Sequence, residues 1–139
     1  MNSYGVKTLK YLKESRIVMR LILLMSFLVS NMAFAQTISG EVSIKGNTPK
    51  GTLFIFAKKF NGQMPMPLAV KKIENPVFPV KFELSQKDAM MKQIPFEGPF
   101  TVTARLSPSG NAMDKSGLEV STKKKIELGQ KDIKLILSK

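Results

Sequence analysis

The 139-residue sequence contains no histidine, no cysteine and no tryptophan. The first two absences exclude most site chemistry, because the usual zinc centres, blue-copper centres, c-type haem attachment and histidine-ligated haem all need these ligands. They also exclude nucleophilic catalysis by a Ser-His-Asp or Cys-His arrangement. Without cysteine an exported chain forms no disulfide and carries no lipid on an N-terminal cysteine, so its fold depends on its core.

The amino-terminal segment lacks an apolar run long enough to span a membrane. Arg20 precedes the run Leu21–Val29, and Ala33-Phe34-Ala35 forms a small-x-small cleavage site. This run is about half the roughly 20 apolar residues that a span requires. We therefore predict a signal peptide over residues 1–35, cleaved after Ala35, and an exported mature protein with no transmembrane span. An uncleaved anchor is the alternative, and a start at Met19 would give a signal peptide of ordinary length.

The predicted mature chain is one domain over residues 36–139. A chain of this length buries roughly 65% of its unfolded surface, which is enough for a core. The leader holds 5 of the 22 basic residues and 1 of the 10 acidic ones, which leaves 17 basic and 9 acidic residues and a net charge of +8. This charge suits acidic partners or an anionic membrane surface. Nucleic acid is not expected, because the protein is exported and no aromatic residue lies among the lysines to stack on bases.

Apolar residues in the mature chain recur with a period of two, which indicates strands rather than helices. Only 85–93 resembles a helix, with Ser85 as N-cap and Asp88 at the capping-box position. Short strands separated by turns at this density are typical of an all-β, Ig-like antiparallel β-sandwich of about seven strands. The seven predicted strand segments are TISGEVSIK (37–45), TLFIFA (52–57), LAVKKI (68–73), VKFEL (80–84), FTVTARL (100–106), LEVSTKKKIEL (118–128) and DIKLIL (132–137).

Two of these segments carry more specific predictions. TLFIFA is apolar on both faces, as expected for a central strand that is covered on both sides. FTVTARL alternates, so Phe100 and Leu106 should point inward while Thr103 and Arg105 point to the polar side. Pro79, at the start of VKFEL, favours an edge position for that strand.

An ordered set of short motifs resembles one known family. The motifs are ISGEV (38–42), GTLFIFAK (51–58), PMPLAVK (65–71), FELS (82–85) before DAMM (88–91), and ARLSPSGNA (104–112). They resemble the C-terminal periplasmic, Ig-like domain of the cytochrome c-type biogenesis protein H family (CycH, also called CcmI). The resemblance implies a sandwich fold and a role beside apocytochromes c and the haem-ligation machinery. It also implies a periplasmic location for the mature protein. Full-length members of the family carry membrane helices and helical repeats ahead of this domain; neither is found in this sequence, so we expect a free-standing module.

Met64 and Met66 raise the possibility of a metal site. Thioethers select Cu(I), so an exported Met-Pro-Met segment is a candidate copper site. The alternative is a proline-stiffened loop whose methionines fill gaps at the edge of the core, and the resemblance favours this alternative. We therefore predict no cofactor and keep copper as a second hypothesis.

The remaining motifs support binding rather than catalysis. Ser121 and Lys124 match the Ser-x-x-Lys motif of penicillin-binding enzymes, but its companion motifs are missing, so chance explains the match. Arg105 is the sole arginine of the mature domain and is either a partner contact or half of a surface ion pair. The loops 59–67, 85–98 and 108–118 are where function is expected on such a fold. The predicted partner-binding residues are Met64, Met66, Lys71, Arg105 and Ser107.

These observations predict a non-enzymatic accessory of c-type cytochrome biogenesis that binds a protein partner in the cell envelope, an apocytochrome c or the haem-ligation machinery. A methionine-based Cu(I)-binding protein is one alternative. A module reused for some other envelope contact is another, since one sandwich fold hosts many functions. Oligomeric state and binding face are not predicted.

Overall fold

The computed structural model describes residues 15, 16, 18–20 and 36–139. The chain divides into two compact units, Met1–Phe34 and Ala35–Lys139. The described residues of the first unit are helical. Among the described residues, no helix is both long enough and apolar enough to cross a membrane. The predicted signal-peptide run and its cleavage site lie outside the described residues, so both stay predictions.

The second unit consists of seven strands and one short helix. Their order is β1 (Ile38–Ile44), β2 (Thr52–Lys59), β3 (Ala69–Glu74), β4 (Val80–Leu84), a 3-10 helix (Gln86–Asp88), β5 (Phe100–Ser107), β6 (Leu118–Ser121) and β7 (Ile133–Leu137). The strands form a three-stranded sheet in the order β4-β1-β7 and a four-stranded sheet in the order β3-β2-β5-β6. The prediction of an Ig-like β-sandwich of about seven strands with one short helix is confirmed.

One strand pair differs from the predicted antiparallel arrangement. β1 pairs with β4 in the antiparallel sense but with β7 in the parallel sense, so that Gly40 lies opposite Ile133. The two backbones approach closely at this point: a Cβ added at Gly40 would lie 2.1 Å from the carbonyl oxygen of Ile133. Only glycine, which has no Cβ, permits the approach.

The core lies between the two sheets and is built from alternate residues of each strand. From β1 it takes Ile38 and Val42, and from β2 it takes Leu53, Ile55 and Ala57, all of them fully buried. Period-two alternation along a strand directs every second side chain to the same face. Phe100 and Leu106, the residues of β5 predicted to point inward, also lie in this core, so that prediction is confirmed. β4 lies at a sheet edge, as its proline predicted.

The predicted helix lies within the segment 85–93, as expected, but covers only Gln86–Asp88. It is a single 3-10 turn, and its capping box is complete: the Ser85 hydroxyl accepts from the Lys87 amide, and Asp88 accepts from the Ser85 amide. Ala89 then bridges to Ala69 of β3. This bridge turns the chain back towards the four-stranded sheet and ends the helix.

Two strand predictions need correction. The segment 118–128 is a strand only as far as Ser121, and beyond it Ile126 makes an isolated bridge to Phe100. The polar side of β5 faces outward as predicted, but it is not open to solvent: Thr103 is 7% and Arg105 is 9% exposed. Neighbouring strands and the loop between β5 and β6 cover it, which the alternation of a single strand cannot reveal.

Candidate partner-binding groove

The outer face of the four-stranded sheet carries a groove with an apolar floor. The register aligns four side chains across the sheet in one row, from Val70 of β3 through Phe56 of β2 and Thr103 of β5 to Ser121 of β6. All four line the groove, whose volume is about 790 Å³. Phe56 is only 7% exposed yet lies outside the core cluster. β2 is thus apolar on both faces, as predicted, but its second face lines a groove and does not form a second core.

Three loops form the walls of the groove, and each contributes a methionine. Met66 comes from the β2–β3 loop (60–68), Met90 from the segment after the 3-10 helix, and Met113 from the β5–β6 loop (108–117). These three residues are called the groove methionines below. A backbone bond of 3.0 Å from the Met90 amide to the Leu68 carbonyl holds two of the loops together. All three loops are among those where function was expected.

The groove methionines are exposed: 45% for Met66, 53% for Met90 and 78% for Met113. The prediction that the Met-Pro-Met methionines fill gaps at the edge of the core is therefore wrong, since Met64 is also 48% exposed. Flexible, polarisable thioethers on a surface are typical of sites that adapt to apolar segments of a partner.

Arg105 fixes one end of the groove. Its guanidinium bonds the carboxylate of Glu119 on the neighbouring strand and donates to the Ala112 carbonyl in the β5–β6 loop. It also lies over the Phe56 ring, 5.1 Å from the centroid. The ion pair considered for Arg105 exists, but the arginine side chain is only 10% exposed. Arg105 therefore anchors the loop and is not freely presented to a partner.

Ser107 and Asp114 complete the anchoring of the same loop. The fully buried Ser107 hydroxyl donates to the Asn111 carbonyl at 2.8 Å. Asp114 accepts from the Ser109 and Ser116 hydroxyls, each at 2.6 Å, and these bonds hold the pKa of its carboxyl well below the usual value. The loop is thus pinned from within, and Met113 and Lys115 are held beside the groove.

Lys71 lies on the other face of β3. It is paired with Ile55, whose side chain is in the core, and its ammonium group donates to the Glu83 carbonyl at 2.9 Å. Lys71 therefore links the two sheets at their edge. Of the predicted partner-binding residues, the structure brings Met66 and Arg105 into the groove, places Ser107 beneath its loop, and leaves Met64 and Lys71 outside it.

The described residues offer no conventional metal centre, since no group of three or more histidine, cysteine, aspartate or glutamate residues is close enough to hold an ion. Thioether binding of Cu(I) needs none of those residue types. The absence of such a group therefore does not test Cu(I) binding at Met64 and Met66, which stays a hypothesis.

The rim of the groove is cationic. Lys58, Lys59 and Lys115 line it, whereas the one acidic residue that lines it, Glu119, is paired with Arg105. Lys59 donates to two backbone carbonyls in the segment before β5. Lys58 and Lys115 are exposed, and neither forms an ion pair within the described part of the chain.

A family model connects this fold with known proteins. The model for the cytochrome c-type biogenesis protein H Ig-like domain matches residues 33–137, which is most of the chain and all seven strands. The chain belongs to this family. The predicted family is thereby confirmed, and the groove lies entirely within the matched residues.

Two curated relatives are similar to part of this chain. A cytochrome c-type biogenesis protein CycH of Pseudomonas aeruginosa is 41% identical over 64 residues, which is 45% of this chain and 16% of that protein. An uncharacterised protein of Aquifex aeolicus is 26% identical over 95 residues, 68% of this chain and 63% of that protein. The chain thus spans about a sixth of the first relative and under two thirds of the second. No solved structure matches the chain.

Several groove residues were not predicted from the sequence. Phe56 and Val70 were assigned only to strands, while Met90, Met113 and Lys58 were not singled out as partners of Met66. One signal was present: a central strand that is apolar on both faces, flanked by loops that each contain methionine. The register that brings these loops to one face depends on strand order, which the sequence does not specify.

Proposed function

We propose that this protein is a non-enzymatic accessory of c-type cytochrome biogenesis that works in the periplasm. In this role it binds a polypeptide of an apocytochrome c or of the haem-ligation machinery in the groove. The family match over residues 33–137 carries the biological process. The methionine-lined groove supports the mode of action, since a preformed apolar concavity of this volume is the usual form of a binding site.

The fold also supports this face as the proposed binding face. A sandwich has two outer sheet faces, and the outer face of the four-stranded sheet carries two buried phenylalanines, Phe54 and Phe56, stacked with centroids 6.2 Å apart. Burying apolar area contributes about 25 cal/mol per Å². Because these two phenylalanines are already buried, a partner that covers this face gains mainly from burying the exposed thioethers.

A site-specific cross-linking experiment tests the proposal. A photo-reactive residue at position 66 should capture apocytochromes or haem-ligation proteins in growing cells, while the same residue at position 64 should capture much less. The two positions share a loop and a similar exposure, 45% and 48%, but only Met66 lines the groove. In parallel, a deletion strain should lose c-type cytochrome content, measured by haem-stained gels. A normal content in that strain would count against the proposal.

The copper hypothesis predicts equal importance for Met64 and Met66, whereas the groove proposal predicts that only Met66 matters. A Cu(I) site at Met64 and Met66 needs both thioethers, so Met64→Gln and Met66→Gln should weaken Cu(I) binding equally in competition with a chromogenic chelator. For partner capture, only Met66→Gln should matter. An equal loss of Cu(I) affinity in both variants, with partner capture intact, would favour copper.

A further inference from the structure

The charges of the groove identify the chemistry of its occupant. Lys58 follows Phe56 by two residues on β2, on the same face, and pairs with Thr101 near the start of β5. Lys115 belongs to the loop that leaves the other end of β5. The apolar floor therefore lies between two exposed ammonium groups.

The distance between the two ends of the groove follows from the length of β5 that lines it. The five residues from Thr101 to Arg105 are separated by four steps and span about 13 Å at roughly 3.3 Å per step. That distance accommodates four or five residues of extended chain, or about nine residues of helix at about 1.5 Å each. A short stretch of polypeptide fits the groove, while a folded domain would contact only its rim.

The cations are available to a ligand. Glu119 is neutralised by Arg105, and the ammonium of Lys59 is held by the carbonyls of Glu97 and Gly98 at 3.2 and 2.9 Å. Lys58 and Lys115 have no such partner in the described residues. Their position at opposite ends favours a ligand with carboxylates on both sides of an apolar centre. A fatty acid, which has one carboxylate, would leave one lysine without a counter-charge.

We propose that the groove binds a short polypeptide segment in which apolar side chains are flanked on both sides by carboxylates. This inference rests on the proposed function of the groove and specifies the partner's chemistry. The thioethers of the groove methionines contact the apolar side chains, and Lys58 and Lys115 pair with the flanking carboxylates. The Thr101 hydroxyl at the groove floor lies within the same stretch and offers a hydrogen bond to the segment's backbone.

Two fluorescent peptides test the inference on the purified protein by anisotropy. Both have the same centre of leucine, phenylalanine and alanine; one is flanked by paired glutamates and the other by paired lysines. We expect the glutamate peptide to bind at least about tenfold more tightly, since two favourable rim contacts replace two repulsive ones. The preference should shrink between 0.1 and 1 M salt, where the Debye length falls from about 10 to about 3 Å.

Charge reversal supplies the matched control. In Lys58→Glu/Lys115→Glu the preference should invert, whereas Lys123→Glu/Lys124→Glu, which changes the net charge equally at exposed lysines outside the groove, should retain it. Equal binding of both peptides to the unaltered protein would overturn the inference while leaving the groove as a binding site. The inference would also be overturned if phosphatidylglycerol vesicles bind with this dependence on Lys58 and Lys115 while the glutamate peptide does not bind.

The two proposals fail differently. If the cross-linker at position 66 captures biogenesis proteins but neither peptide binds, the partner chemistry is wrong and the proposed function stands. If position 66 captures nothing beyond position 64 while the glutamate peptide binds, the groove is a binding site with a different biological role.

Discussion

Replacing Arg105 by lysine should destabilise the protein, although the charge is retained. Lysine is a single point donor and cannot bond Glu119 and the Ala112 carbonyl while also stacking on Phe56. A charge-assisted bond to a carbonyl contributes about 1.5–3 kcal/mol. The stacking contributes about 0.5–1 kcal/mol. Since lysine keeps one of the charged contacts, we expect Arg105→Lys to lower the free energy of unfolding by about 2 kcal/mol.

Urea unfolding, followed by far-UV circular dichroism, measures this change. For a domain of about a hundred residues, 2 kcal/mol corresponds to a fall in Tm of about 10 °C. The control is Lys72→Ala, which removes an ion pair with Glu74 whose side chains are 51% and 69% exposed. That change should cost less than about 0.5 kcal/mol.

Two results would contradict the reasoning on Arg105. If Arg105→Lys unfolds within about 0.5 kcal/mol of the unaltered protein, the guanidinium does not anchor the loop. If Arg105→Lys is destabilised but amide exchange in the β5–β6 loop is unchanged, the loss of folding free energy does not come from that loop. The expected pattern is faster exchange in this loop and weaker binding of the glutamate peptide, because Met113 and Lys115 are no longer held beside the groove.

Three further outcomes follow from the structure. Gly40→Ala should lower the free energy of unfolding by more than about 3 kcal/mol in urea, because the new Cβ would meet the Ile133 carbonyl; a variant of normal stability would refute the close approach. Bonds from Ser109 and Ser116 lower the folded-state pKa of Asp114, so its contribution to stability is complete above the unfolded pKa of about 4 and is lost as pH falls through the folded value. The urea midpoint of Asp114→Asn should therefore fall less on acidification than that of the unaltered protein, and parallel curves would refute this assignment. Oxidation of the groove methionines with dilute peroxide should weaken binding of the glutamate peptide several-fold while leaving the sandwich folded, as measured by anisotropy and circular dichroism, because sulfoxides are polar.

The sandwich could be predicted from the sequence because its signals are local. Alternation at Phe100 and Leu106, the cap at Ser85 and the proline before β4 each act within a few residues, and each agrees with the structure. The parallel pairing of β1 with β7 could not be predicted in the same way. Both strands have the same period-two pattern whichever direction they run, so the sense of pairing depends on the path of the chain.

The groove was predicted only in fragments. Its loops and one of its methionines were identified, but burial of Arg105 depends on a carbonyl in a loop seven residues away and on a carboxylate from another strand. A polar residue at an outward strand position is indistinguishable in sequence from a solvated one. The same argument applies to Lys71, whose bond to the Glu83 carbonyl exists only because two sheets meet at that edge.

The pairing of β1 with β7 also determines how the protein can fold. Gly40 and Ile133 are about ninety positions apart in the chain, yet β1 is the central strand of its sheet and has β7 as one of its two neighbours. Closing so long a loop costs chain entropy before any contact repays it, and such distant pairings are associated with slow folding. A chain that ends before Ile133 would lack one of the three strands of this sheet and would leave one edge of β1 unpaired, so we expect the sheet to be completed only once β7 is available.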